Sequence, residues 1–229
     1  MKPLKQLKQW VFRFLGIESS FVIVIDPGHG GNHIVGGSSP NNATGRNGTK
    51  EKDLTLSIGI KVAEILNQRR HEVHLTRNDD YNVGLKDRAL VAVNNNADVF
   101  VSIHFNGDNH PQTQGTETWV HNGASKNSKA LASSILHRLA AATGYRNRGV
   151  KSDDFLVLEP SIHSMRTAAT LAEISFLTDP ADEDRLAKAA YKMTLAAAIG
   201  DAIEDYLNNR SGIRLEPVTI EKNAEELMM

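Results

Sequence analysis

Phe21-Val22-Ile23-Val24-Ile25-Asp26-Pro27-Gly28-His29-Gly30-Gly31 runs from five apolar residues into a Pro/Gly turn with no spacer. A short β-branched run bounded by turn residues reads as a buried strand, and the turn then aims the His29 imidazole rigidly from the strand's end. The pattern recurs outward from this stretch. Strands are expected at 21–26, 72–76, 98–103, 115–120, 155–158 and 170–174, and helices at 52–68, 85–95, 125–142 and 187–207. In the first helix Leu54, Ile58, Val62, Ile65 and Leu66 share one apolar face of a 3.6-residue period. Strands separated by helices of this length predict a three-layer α/β/α domain around a mainly parallel twisted sheet of about six strands.

Composition bounds the rest. The 229 residues, 40% hydrophobic and 23% charged, suffice for one substantial core, so the chain divides into an extension at 1–20, one domain at 21–208 and a tail at 209–229. A net charge of -1 with no polybasic run argues against a nucleic-acid partner. There is no cysteine, so a transition-metal site must be built from His, Asp and Glu. Near the amino terminus Lys2, Lys5 and Lys8 precede Trp10-Val11-Phe12, which imitates a secretory signal. Arg13 interrupts the apolar run and no small-residue cleavage site follows, so no signal peptide is read. Leu4, Leu7, Val11, Phe14 and Leu15 instead form one stripe of an amphipathic helix, docked on its own domain or, alternatively, on a membrane surface or partner.

Between His29 and Glu51 lies a polar segment with glycines at 30, 31, 36, 37, 45 and 48 and almost no apolar residue. A long polar loop inside a compact domain is more often functional than idle, and this one joins a strand end to a helix start. His104 repeats the logic of His29, following the apolar run Val99-Phe100-Val101-Ser102-Ile103. Two strands ending in His and a helix beginning at Glu51 bring three groups to the carboxyl edge of one sheet, where open α/β sheets bind ligands. Two neutral imidazoles and one carboxylate suit a single catalytic Zn²⁺, leaving a fourth position for water.

Glu173 stands within the otherwise apolar Leu171-Ala172-Glu173-Ile174. A carboxylate there must be paired, bound to metal or raised in pKa, because burying it unpaired costs several kcal/mol. Arg77, Arg88, Arg148 and Arg166 are all available for a structural ion pair, and periodicity does not separate that role from a catalytic one.

The chain resembles the zinc-dependent N-acetylmuramoyl-L-alanine amidases of bacterial cell walls, from Val22 to about Leu207. The resemblance rests on Val24-Ile25-Asp26-Pro27-Gly28-His29-Gly30-Gly31, Glu51-Lys52-Asp53-Leu54, Leu75-Thr76-Arg77, Leu85-Lys86-Asp87-Arg88, Ser102-Ile103-His104-Phe105-Asn106, Gly115-Thr116-Glu117, Arg148-Gly149-Val150-Lys151 and Glu173-Ile174-Ser175-Phe176-Leu177, in that order. It implies one Zn²⁺ held by His29, Glu51 and His104, with Glu173 as the catalytic carboxylate. The implied reaction is hydrolysis of the amide between the lactyl group of N-acetylmuramic acid and the L-alanine of the stem peptide. A peptidoglycan-binding homologue without activity, or a zinc carboxypeptidase acting on stem peptides, is the alternative.

Ser175 and Asp179 depart from the family's usual Gly and Asn, and the 31–51 loop is longer than the family leads one to expect. Some members carry an inhibitory helix before the catalytic glutamate. The interval from His104 to Glu173 already holds a strand, a helix and the 148–158 segment, so the expectation is a monomeric enzyme open without an activator protein. Its partner is peptidoglycan, and it acts in the cell envelope. Of the other histidines, His33 and His110 are expected to line the cleft and His163 to contact substrate, whereas His71, His74, His121 and His137 read as structural or exposed.

Overall fold

The computed structural model describes residues 20–110 and 112–210, so the expected amino-terminal helix and most of the carboxy-terminal tail lie outside the described residues. Six strands, β1 (Val22–Pro27), β2 (Glu72–Leu75), β3 (Val99–Asn106), β4 (Thr116–Val120), β5 (Asn147–Ser152) and β6 (Ala168–Phe176), form one sheet in the order β2-β1-β3-β6-β4-β5. The first four in that order run parallel, β4 runs antiparallel to β6, and β5 is parallel to β4. The expected α/β sandwich with a mainly parallel sheet is therefore present, as a mixed sheet with one antiparallel junction.

Among the described residues five helices cover it: α1 (Glu51–Gln68), α2 (Leu85–Asn94), α3 (Lys126–Thr143), α4 (Pro180–Leu186) and α5 (Ala189–Arg210). Alternation along the strands decides which face each residue supplies. Ile23, Ile25, Val101 and Ile103 enter the core beneath α1, α3 and α5, with Ile58, Leu131, Ile135 and Ile199. Val22, Val24, Phe100 and Leu171 enter a second cluster with Ala92 of α2 and with Val157 and Leu158.

Two expectations need correction. Residues 155–158 do not form a strand; Leu156–Leu158 is a single 3-10 turn laid on the α2 face of the sheet. A short apolar run cannot by its pattern distinguish a strand from another buried segment. The missing strand is β5, whose sequence Asn-Arg-Gly-Val-Lys-Ser has one apolar residue because it is an edge strand paired only with β4. The expected 187–207 helix begins at Ala189 and follows the separate α4, which Pro180 starts and Asp179 caps by accepting from Ala181 N (2.7 Å) and Asp182 N (3.2 Å).

Candidate metal centre

The turn after β1 is fixed by two buried arginines. Arg77 donates to the carbonyls of Pro27 (2.9 Å) and Gly28 (2.9 Å), and Arg88 to those of Pro27 (2.8 Å) and His29 (2.8 Å). Arg88 also pairs with buried Asp26 at 2.7 Å, and Asp26 accepts from Thr76 (2.5 Å) and Ser102 (2.7 Å). Burial raises the Asp26 pKa, but the Arg88 charge and these hydrogen bonds outweigh it and hold the group below its usual range. Burial, aided by the Arg88 charge, depresses Arg77 to about 10. With its carbonyls held, the turn keeps His29 at a φ of 62°, a left-handed conformation that costs a non-glycine residue about 1–2 kcal/mol.

That strain brings His29 to His104. Their rings meet edge to face with centroids 4.8 Å apart. A Cβ on Gly28 would collide with the His104 ring, so this glycine serves close approach. Glu51 opens α1 beneath both rings, its Oε1 lying 3.1 Å from His29 Nε2 and 3.0 Å from His104 Nδ1. Its carboxylate also accepts from the backbone N–H groups of Ala43 (2.8 Å) and Phe105 (3.1 Å). Burial opposes its ionisation, yet the hydrogen bonds and positive fields of the two histidines hold its pKa well below the usual carboxylate range. On the far side of His29, Nδ1 lies 3.0 Å from Ser39 Oγ and 3.1 Å from the Ser39 carbonyl. If Nδ1 carries the proton and donates to that carbonyl, Nε2 is left as a lone-pair donor.

The three residues fit a metal ion. One ligand atom from each lies within 4.8 Å of the others, near the roughly 3–4 Å that tetrahedral bonds of about 2.1 Å require. His29 Nε2 is fully enclosed and faces the Glu51 carboxylate at 3.1 Å, a juxtaposition that a shared cation would satisfy. Asp26, His29, Ser38, Ser39, Arg88, Ser102, His104 and Val157 line a cleft of about 120 Å³ beside them.

Glu173 is the register partner of His104 across β3 and β6. Among the described residues no arginine pairs with it. Arg77 and Arg88 serve the His29 turn, Arg148 pairs with Glu117 (2.7 Å) and Arg166 with Asp98 (2.5 Å). Glu173 Oε2 is enclosed and makes no hydrogen bond. Its burial, followed by the negative charges of Glu51 and Glu117, pushes its pKa well above the usual range.

The long polar loop supplies part of the cleft wall through Gly37, Ser38 and Ser39. Its far end is anchored to α4, where the Glu183 carboxylate accepts from Asn47 N (2.8 Å) and Thr49 N (3.2 Å). His33 and His110 are exposed. His163 is buried against Phe100 and donates from Nε2 to the Val157 carbonyl (2.8 Å). Sequence reasoning gave no role to Ser39 or to the backbone donors of Ala43 and Phe105, since a serine in a polar loop and a main-chain N–H carry no distinguishing signal.

Comparison with known proteins identifies the family. Residues 23–205 match the Amidase_3 family, described as N-acetylmuramoyl-L-alanine amidase. The chain is 30% identical to N-acetylmuramoyl-L-alanine amidase AmiA of Escherichia coli, over 82% of this chain and 76% of that protein. An N-acetylmuramoyl-L-alanine amidase from Clostridium difficile 630 superposes with a TM-score of 0.74 at 35% identity, covering 83% of this chain and 98% of that one. AmiC2 of Nostoc punctiforme gives 0.72 at 35% identity, with coverage of 82% and 97%. On these grounds the chain belongs to the N-acetylmuramoyl-L-alanine amidase family, Amidase_3.

Proposed function

We propose that this chain is a zinc-dependent peptidoglycan hydrolase that cleaves the amide between the lactyl group of N-acetylmuramic acid and L-alanine. The observation that carries the reading is the enclosed His29, Glu51 and His104 cluster with the unpaired Glu173 one strand away. His29, Glu51 and His104 would hold the ion. Zinc supplies Lewis-acid polarisation of the carbonyl and lowers the pKa of a water to about 7.

The chain's own groups do the rest. Glu173 takes the water's proton and returns it to the departing amine. Ser39 and the N–H groups of Ala43 and Phe105 keep His29 and Glu51 oriented. The clustering of His29, Glu51 and His104 and the register pairing of Glu173 with His104 support an active enzyme over a binding homologue.

The interval from His104 to Glu173 is taken up by β4, α3, β5 and the 3-10 turn. Among the described residues no helix in it is spare to cover the site. This supports action without an activator. The deciding experiment is metal analysis of the purified protein with mass spectrometry of digested peptidoglycan. One zinc per chain and intact stem peptides with a new L-alanine amino terminus are expected. Release of a terminal amino acid alone would replace the amidase reading by a carboxypeptidase, and cleavage only after a partner is added would end the activator-free one.

A further inference from the structure

Lys52 stands against the local rules of the chain. It is 5% exposed and second in α1, where both the helix dipole and burial disfavour a cation. A lysine persists there only if its ammonium is paired, and its partners belong to other elements. Lys52 Nζ donates to the Gly31 carbonyl (2.9 Å) and to Asp80 Oδ2 (2.7 Å). Asp80 Oδ1 accepts from Gly31 N (2.8 Å), so the ion pair holds both main-chain polar groups of one residue. The hydrogen bond from Lys52 is the chief cause that keeps the Asp80 carboxyl below its usual pKa range.

Gly31 closes the turn that carries His29. The φ angles of His29, Gly30 and Gly31 are 62°, 130° and 62°, a run of positive values that persists only where its surroundings fix it. Arg77 and Arg88 hold the carbonyls of Pro27, Gly28 and His29 at its upstream end. Lys52 and Asp80 hold the downstream end, where a Cβ on Gly30 would collide with the Tyr81 carbonyl. Lys52 directly follows Glu51, and its own backbone is fixed on two sides. Its N–H donates to Asn41 Oδ1 (3.1 Å), and Arg77 donates to its carbonyl (2.7 Å). One side chain therefore ties the turn of one proposed ligand to the helix start of another, while His104 arrives independently on β3.

We infer that Lys52 and Asp80 are positioning residues that set the spacing between His29 and Glu51, 3.1 Å between Nε2 and Oε1. This rests on the metal centre proposed above. Without the pair all three ligands remain, but the His29 turn is free to drift from α1. Metal sites lose affinity when the groups that orient their ligands are removed.

The test uses Lys52→Met, which keeps the unbranched side chain without its charge, Asp80→Asn and the double variant, each in the full chain. Competition with a chromogenic chelator should show zinc affinity reduced by about 10–100-fold in each single variant. The double variant should lose no more than the worse single one, because the two residues act as a unit. Amide exchange in the metal-free proteins should quicken at residues 28–31. Arg69→Ala breaks the surface pair with Asp201 (2.5 Å) at the far end of α1 and should leave both readouts unchanged. Wild-type affinity in a folded Lys52→Met protein, additive losses, or an equal loss in Arg69→Ala would overturn the inference. A wild-type chain that takes up no zinc ends the metal-centre reading instead; the exchange data then decide the tie, which unchanged rates at 28–31 would refute.

Discussion

His104 and Glu173 face each other in register across the parallel strands β3 and β6, and the pairing shifts register immediately beyond, between His104 and Asn106. The proposed ligand and the proposed proton carrier are therefore fixed by backbone pairing rather than by flexible loops. A site built on strands holds its geometry closely, which general-base chemistry demands.

Replacing Glu173 by Gln is expected to keep the shape and the metal while removing the base. Activity on peptidoglycan should fall by about 10²–10⁴-fold with zinc content unchanged. Zinc analysis and turnover on the same preparation check it, and retained cleavage would remove Glu173 from the mechanism.

Gly28→Ala places a Cβ where the His104 ring lies. The fold should survive with a loss of about 1–3 kcal/mol, as for overpacking elsewhere. Zinc affinity should drop by about 10–100-fold because one ligand is displaced. Competition with a chromogenic chelator measures it, and an unchanged affinity would refute the close-approach argument.

Glu183→Ala should release the far end of the long loop from α4. The lost charge-assisted bonds to Asn47 and Thr49 predict a destabilisation of about 1–3 kcal/mol and faster amide exchange confined to residues 45–49. Hydrogen exchange followed by mass spectrometry reads this directly. Exchange at wild-type rates there would mean that the loop is held by something else.

Asp182 offers a pH test away from the metal. Its carboxylate is enclosed, and burial, only partly offset by Arg185 and a backbone hydrogen bond from Phe176, pushes its pKa from 3.8 to about 6. A raised folded-state pKa means that the stabilising proton is fully held below pH about 3.8 and lost as pH rises through about 6. Asp182→Asn should therefore raise the melting temperature at pH 7.5 and leave it nearly unchanged at pH 4. Allowing for solvent screening, the gain is about 1–2 kcal/mol. A variant equally or less stable at pH 7.5 would contradict the burial argument.

How much of this was legible beforehand depends on the kind of signal each residue carries. His29, Glu51 and His104 could be placed because each adjoins a strongly patterned element, and sheet topology forces such strand ends to converge. Glu173 was legible as an anomaly, a charge in an apolar strand. Its freedom from an ion pair was not, since four arginines were eligible and their partners are set by contacts distant in sequence. β5 escaped notice because an edge strand buries too little to need an apolar pattern. The mistaken strand at 155–158 has the converse cause, as burial of Val157 and Leu158 needs no strand.

Short-range chemistry, written residue by residue, thus determined the α/β class, the main elements and the candidate metal-binding groups. Tertiary structure alone decided that Arg77 and Arg88 hold the His29 turn, that Glu183 anchors the long loop, and that Glu117 gathers two cations beside Glu173. Such contacts join residues tens of positions apart. Local pattern carries no record of them, because any buried carbonyl or carboxylate of suitable geometry satisfies the same donor.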